Sequence, residues 1–240
     1  MGSRPPATIV LCATLPTGFR KAACRSVARI SAAVPVAWIA DAALAGELAL
    51  QLTAAGRPCD VVVDLRSSAA ECRSGLRQTL RSLRDDVPGL STVRFRAGSA
   101  AAQRQILVEE GIRISLVDDV GADARGSRRP APRGWKCRNV SWGLWEIGME
   151  TGRRRGIRRW LSLGGMRVPA AGGLMVVRLD GVTLGNGGDA SISSRLERAI
   201  AWVQRLESRG VATGAALTDV SGLLAAHGRP ALAGSVLRAA

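Results

Sequence analysis

Cys59-Asp60-Val61-Val62-Val63-Asp64-Leu65, followed after seven residues by Arg73-Ser74-Gly75-Leu76-Arg77-Gln78-Thr79-Leu80-Arg81-Ser82-Leu83-Arg84, decides how this chain is read. The first stretch is a short, nearly unbroken apolar run, the pattern of a strand buried on both faces. The second puts Leu76, Leu80 and Leu83 at i, i+4 and i+7, with Arg73, Arg77, Arg81 and Arg84 on the other side, as in an amphipathic helix. A doubly buried strand followed by such a helix is half of a parallel crossover unit.

The same unit recurs on both sides. Further strands are predicted at 8–13, 34–40, 92–96, 112–118, 140–147, 174–180 and 211–217. A last long helix carries Leu196, Ile200, Val203 and Leu206 on its apolar face. Gly56, Gly111 and Gly210 stand just before strands, where helices end. In 240 residues this order suits a single (β/α) barrel of seven to eight parallel strands. An open doubly wound sheet is the alternative, because periodicity cannot show closure. The barrel is expected over 8–226, between tails at 1–7 and 227–240, with a basic rim insertion at 121–167. Arg4 and the run from Ala7 to Leu15 give the start some look of a signal peptide, but Pro16 and Gly18 close it off as a first strand.

Composition narrows the chemistry. The five cysteines are scattered and never spaced as C-x-x-C, which disfavours a zinc site or a disulfide framework and fits a reducing, cytoplasmic setting. His227 is the only histidine, and metal hydrolases and acid–base enzymes lean on that residue. No apolar run is long enough to span a bilayer. The net charge of +15 is carried almost wholly by arginine, part of it attributable to GC-rich coding. Its distribution is uneven: from Arg125 to Arg167 twelve basic residues face only Glu146 and Glu150.

Several segments resemble the polysaccharide deacetylases of the NodB-like superfamily. Phe95-Arg96-Ala97-Gly98-Ser99, then a helix, Glu110-Gly111-Ile112-Arg113 and a strand ending Val117-Asp118, is similar to the family's F-R-x-P-x-G turn with its succeeding helix and apolar strand. Val34-Pro35-Val36-Ala37-Trp38-Ile39, Gly172-Gly173-Leu174-Met175-Val176-Val177, and Gly210-Val211 with Leu217-Thr218-Asp219 resemble other family segments in the right order. The resemblance implies a barrel whose C-terminal rim holds a divalent ion on one Asp and two His. A second Asp would act as base and a late His as acid, for deacetylating N-acetylated sugars.

The sequence departs from that pattern at nearly every functional position. Strand one runs Cys12-Ala13-Thr14-Leu15-Pro16 with no carboxylate, and the third unit, Val61 to Ser68, has no histidine. The late histidine's place falls on Arg178 or Leu179, and only Arg96 matches a functional residue. The expectation is a deacetylase-like protein without the metal-dependent reaction, without a metal or cofactor, binding a glycan or glycan-linked ligand at the rim.

Other groups compete for a role. Asp64, Asp118, Asp119, Glu146 and Asp180 fall at or near predicted strand ends, and with Arg96 are the catalytic candidates. They would bind a cation through oxygen or act in pairs on a glycoside, unless Arg66, Arg96 and Arg178 tie them into a salt-bridge network. Trp142 and Trp145, with Arg96 and Arg178, are the candidate sugar contacts, and Trp135 lies nearby; indoles stack on sugar rings but also fill cores. The glycine-rich 181–189 stretch reads as a rim loop rather than a phosphate cradle. Arg153, Arg154, Arg155, Arg158 and Arg159 surround Ile157, Trp160 and Leu161 on a basic amphipathic helix. It reads first as a barrel helix with its apolar face packed inward and its arginines solvated; as a binding element, its partner would be an anionic membrane surface or nucleic acid phosphates.

Overall fold

In the computed structural model the strands close on themselves. It describes residues 5–16, 19, 24–29, 34–57, 60–65, 72–95, 101–118, 135–141, 143–151, 168–184 and 190–227. The staves are β1 (Ala7–Thr14), β2 (Val36–Asp41), β3 (Val61–Asp64), β4 (Thr92–Arg94), β5 (Ile114–Val117), β7 (Leu144–Thr151) and β8 (Leu174–Asp180). Each pairs in parallel with the next, and β8 returns to β1, so the barrel has seven strands.

Side chains alternate between two cores, as pleated strands require. Val10, Cys12, Ile39, Val62, Ile114, Leu116, Ile147 and Val176 form the inner one. Their neighbours Ile9, Leu11, Trp38, Val63, Val93 and Val177 face outward. These pack with α1 (Cys24–Arg29), α2 (Ala42–Ala54), α3 (Arg73–Asp86) and α5 (Ser194–Ser208), and α4 (Ala101–Glu109) adds Ile106 and Leu107. Leu76, Leu80 and Leu83 are buried as the periodicity predicts, each contributing roughly 1.5–3 kcal/mol. The arginines opposite bind across to α4's C-terminal end: Arg77 to Glu109, Arg81 and Arg84 to Glu110. Gly56, Gly111 and Gly210 all have positive φ at helix ends.

Three expectations need correction. The 140–147 run is not one strand: β6 (Cys137–Ser141) turns at Gly143, with φ +79°, into the antiparallel β7. A full stave therefore lies inside the block expected to be a rim insertion. The 211–217 run gives β11 (Ala212–Gly214), which is no eighth stave. It pairs with Ala7–Ile9 of β1, on the edge where β2 takes Leu11–Thr14. Finally, the glycine-rich stretch after β8 is a hairpin as far as it is described, β9 (Val182–Leu184) with β10 (Ala190–Ile192). Gly181 is needed there, since a Cβ would lie 2.8 Å from the Trp38 ring and 2.9 Å from the Ala13 Cβ.

The floor is closed by α6 (Leu217–His227), whose Leu217, Val220 and Leu224 join the inner core. No helix among the described residues is long and apolar enough to cross a membrane.

Candidate functional site at the barrel mouth

Inward-facing positions at the C-terminal ends of the staves converge on the mouth. Asp64 lies two residues beyond Val62, Asp118 two beyond Leu116, Arg178 two beyond Val176, and Arg94 two beyond Thr92. The two-residue period gives all four the inward direction. Arg94 sits centrally. Its guanidinium donates from Nη1 to Asp64 Oδ2 at 3.1 Å, and from Nη2 to both Asp118 oxygens at 2.8 and 3.0 Å. Arg178 Nη1 donates to Asp118 Oδ1 at 2.8 Å.

Two cations and two anions thus form a chain spanning β3, β4, β5 and β8. A guanidinium suits the bridge because its fork can engage carboxylates on two sides while staying charged. Burial grades across the group: Arg94 is 2% exposed, Asp64 14% and Asp118 46%. The lower part is therefore structural support, and the upper part faces solvent. Arg94 Nε and Thr14 Oγ1, the latter at the end of β1, are buried without a hydrogen-bond partner.

Farther out, Asp180 is 69% exposed and accepts from Arg195 Nη1 at 3.3 Å. Asp41 ends β2 next to Asp64 in register; it precedes α2 without capping it and stays exposed. The mouth therefore presents hydrogen-bonding carboxylates and an accessible guanidinium over a buried ionic base. Planar groups of this kind match the paired hydroxyls of a sugar.

No family model matches the chain, and no curated protein or solved structure does.

The candidates from sequence divide into three groups. Asp64, Asp118, Arg178 and Asp180 lie at the mouth. Glu146 and Trp145 do not. β7 begins at Leu144 and runs to Thr151, so both residues lie near its start, at the opposite end of the barrel from the rim. Glu146 points outward, 2% exposed, and is held by Arg138 Nε at 2.7 Å and Arg104 Nη2 at 3.3 Å. Trp145 points inward and fills the lower core at 4% exposure, so it offers no face for a sugar. Both displacements come from reading a hairpin as a single strand.

Arg66, Arg96, Asp119, Trp142, Trp160, Arg153, Arg154, Arg155, Arg158 and Arg159 lie outside the described residues. Trp135 supports the fold, its Nε1 donating to the Gly172 carbonyl at 2.9 Å.

Asp64, Asp118, Glu146 and Asp180, candidates for an oxygen-ligated cation or a glycosidase pair, are each bound to an arginine. Among the described residues no three His, Cys, Asp or Glu side chains group closely enough to share a metal ion. Sequence reasoning misses Arg94, the arginine that organises the mouth. Its signal is parity: position 94 points the same way as Thr92, and it stands level with Asp64 on β3.

Proposed function

We propose that this chain is a polysaccharide-deacetylase-like barrel that binds a glycan or glycan-linked ligand at its mouth and does not carry out metal-dependent deacetylation. One observation carries the reading: an arginine, buried and bidentate, occupies the centre of the mouth and bridges Asp64 and Asp118. A guanidinium there neutralises two carboxylates that would otherwise be the nearest anionic ligands for a cation. The sequence of the first and third staves, with no aspartate pair and no histidine, supports the same view.

Recognition would fall to the accessible groups, Arg178, Asp118, Asp180 and Asp41, through hydrogen bonds to hydroxyls. The ionic base holds Asp118 and Arg178 in position before the ligand arrives, which lowers the ordering cost of binding. The test has two arms. Calorimetry with chitin oligomers should give binding that Arg178→Ala weakens by about tenfold, the loss expected for one charge-assisted hydrogen bond. Protein supplied with Zn²⁺, Co²⁺ or Ni²⁺ should release no acetate from the same oligomers. Acetate release above the metal-only control would overturn the reading.

A second reading rests on charge alone. The block from Arg125 to Arg167 carries +10 of the net +15 and would seat the protein on a polyanion, a membrane surface or a nucleic acid. Retention on anionic vesicles or on RNA should then fall steeply with added salt.

A further inference from the structure

At the base of the barrel, away from the mouth, a carboxyl caps a helix from a distant strand. The residue before α6 is Ala216, which has no side chain able to cap. Asp60, just before β3 and 157 positions earlier, does so instead: its Oδ2 accepts the Leu217 amide at 2.8 Å. Asp219, in the first turn, accepts the Ala216 amide at 3.2 Å. Behind this contact Leu217, Val220 and Leu224 enter the inner core beside Val10, Val62 and Trp145. Asp60, 5% exposed, thus ties the start of this seal to the foot of β3.

The surroundings of Asp60 differ from those of the mouth. From β1 comes Cys12, a fully buried thiol that burial keeps protonated. From α6 comes Asp219, a like charge. On β2 the inward residues Ala37 and Ile39 carry no charge. β4 supplies Thr92 and, farther up, Arg94, which is committed to Asp64 and Asp118. Among the described residues no arginine or lysine pairs with Asp60.

We propose that Asp60 is a protonation-operated latch for α6: with its proton in place the helix is held hardest over the barrel floor, and loss of the proton loosens it. Burial is the main cause, since an ionised carboxylate loses most of its hydration there. The Leu217 amide favours the charged form and Asp219 opposes it, and the balance raises the carboxyl to about 6 from its usual 3.8. Undocking α6 returns the carboxylate to water. Opening therefore becomes easier as pH rises through that interval and changes no further above it.

Hydrogen exchange on the full chain tests this. Amide protection in α6, corrected for intrinsic rate, is compared at about pH 5 and about pH 7.5 in the wild-type chain and in Asp60→Asn. The wild-type α6 amides should lose about tenfold in protection across that range, within the roughly hundredfold that two pKa units allow. Asp60→Asn keeps an acceptor for the Leu217 amide without a charge, and should abolish the difference. Asp219→Asn should move the midpoint to lower pH. His227, the last residue of α6, belongs to a residue type that titrates in the same range, and His227→Gln should leave the response intact. An α6 as protected as β1 at both pH values, or one whose protection does not change between them, would overturn the latch. So would a response that survives Asp60→Asn or disappears in His227→Gln.

Discussion

The two ends of the barrel solve the same problem differently. Each places a carboxyl near the end of β3, facing the barrel axis: Asp64 at the mouth and Asp60 at the floor. Asp64 meets a guanidinium, and Asp60 meets a backbone amide with another carboxylate close by. Charge against charge makes a position-fixing base. Charge against a peptide dipole, sealed by apolar side chains, makes a group that holds its proton. The mouth is thus suited to presenting polar groups to a ligand, and the floor to responding to acidity.

Removing the organiser of the mouth should break this contrast most severely. Arg94→Met takes the buried guanidinium away from Asp64 and Asp118. Losing one partner of a buried pair costs about 3–5 kcal/mol. Urea denaturation at neutral pH measures it. Adding Asp64→Asn should recover about 1–2 kcal/mol, because the two positions act as one unit. A loss below about 1 kcal/mol for Arg94→Met, within the range of surface pairs, would show that the network does not hold the mouth together.

At the floor the corresponding test is apolar. Leu224→Ala removes a fully buried side chain from the inner core and should cost about 2–4 kcal/mol. Because Trp145 shares that core, its emission should shift to the red in the variant if the floor hydrates. A cost this large confined to the floor would show that α6 is part of the barrel's core and not an appended helix.

The charge at the floor gives a smaller effect with a sign that can be worked out. Asp60 is raised in the folded protein, so its protonated form is the one folding favours. Below about pH 4 it is neutral both folded and unfolded and imposes no penalty. Between about 4 and 6 the unfolded chain gives up the proton first, and wild-type stability falls as pH rises. Asp60→Asn is free of that term. Its advantage over wild type should grow across this window and level off near pH 7, at no more than about 3 kcal/mol. Denaturation curves at stepped pH follow it, and a difference independent of pH would remove the physical basis of the latch.

How far the sequence reaches differs between the two ends as well. Most staves are legible because each is a short apolar run. Asp64, Asp118, Arg178 and Asp180 are legible as mouth residues because each follows such a run by its alternation. β7 is hidden because Asn139 to Ile147 contains both arms of a tight hairpin, so no long polar gap marks the reversal. That single ambiguity moves Glu146 and Trp145 to the wrong end. Arg96 draws the eye before Arg94 because a family pattern marks it. Parity puts Arg94 on the inward face, but the lateral register that sets it against Asp64 belongs to the assembled sheet. The floor is the least legible part. A helix opening on Ala216 signals a missing cap, yet nothing local says that the cap comes from Asp60.

The smallest expected effect tests the outer edge of the mouth. Asp180 and Arg195 are paired at 3.3 Å with the carboxylate 69% and the arginine 50% exposed. Water screens such a pair and holding two mobile side chains offsets most of its attraction, so Arg195→Ala should change stability by no more than about 0.5 kcal/mol. If Asp180 serves a ligand, freeing it should be felt in binding and hardly at all in folding. The comparison with Arg94→Met is then direct: the inner pair carries stability, and the outer pair contributes little to it. A loss in stability above about 1 kcal/mol for Arg195→Ala would place the outer pair inside the structural base and remove Asp180 from the ligand contacts proposed above.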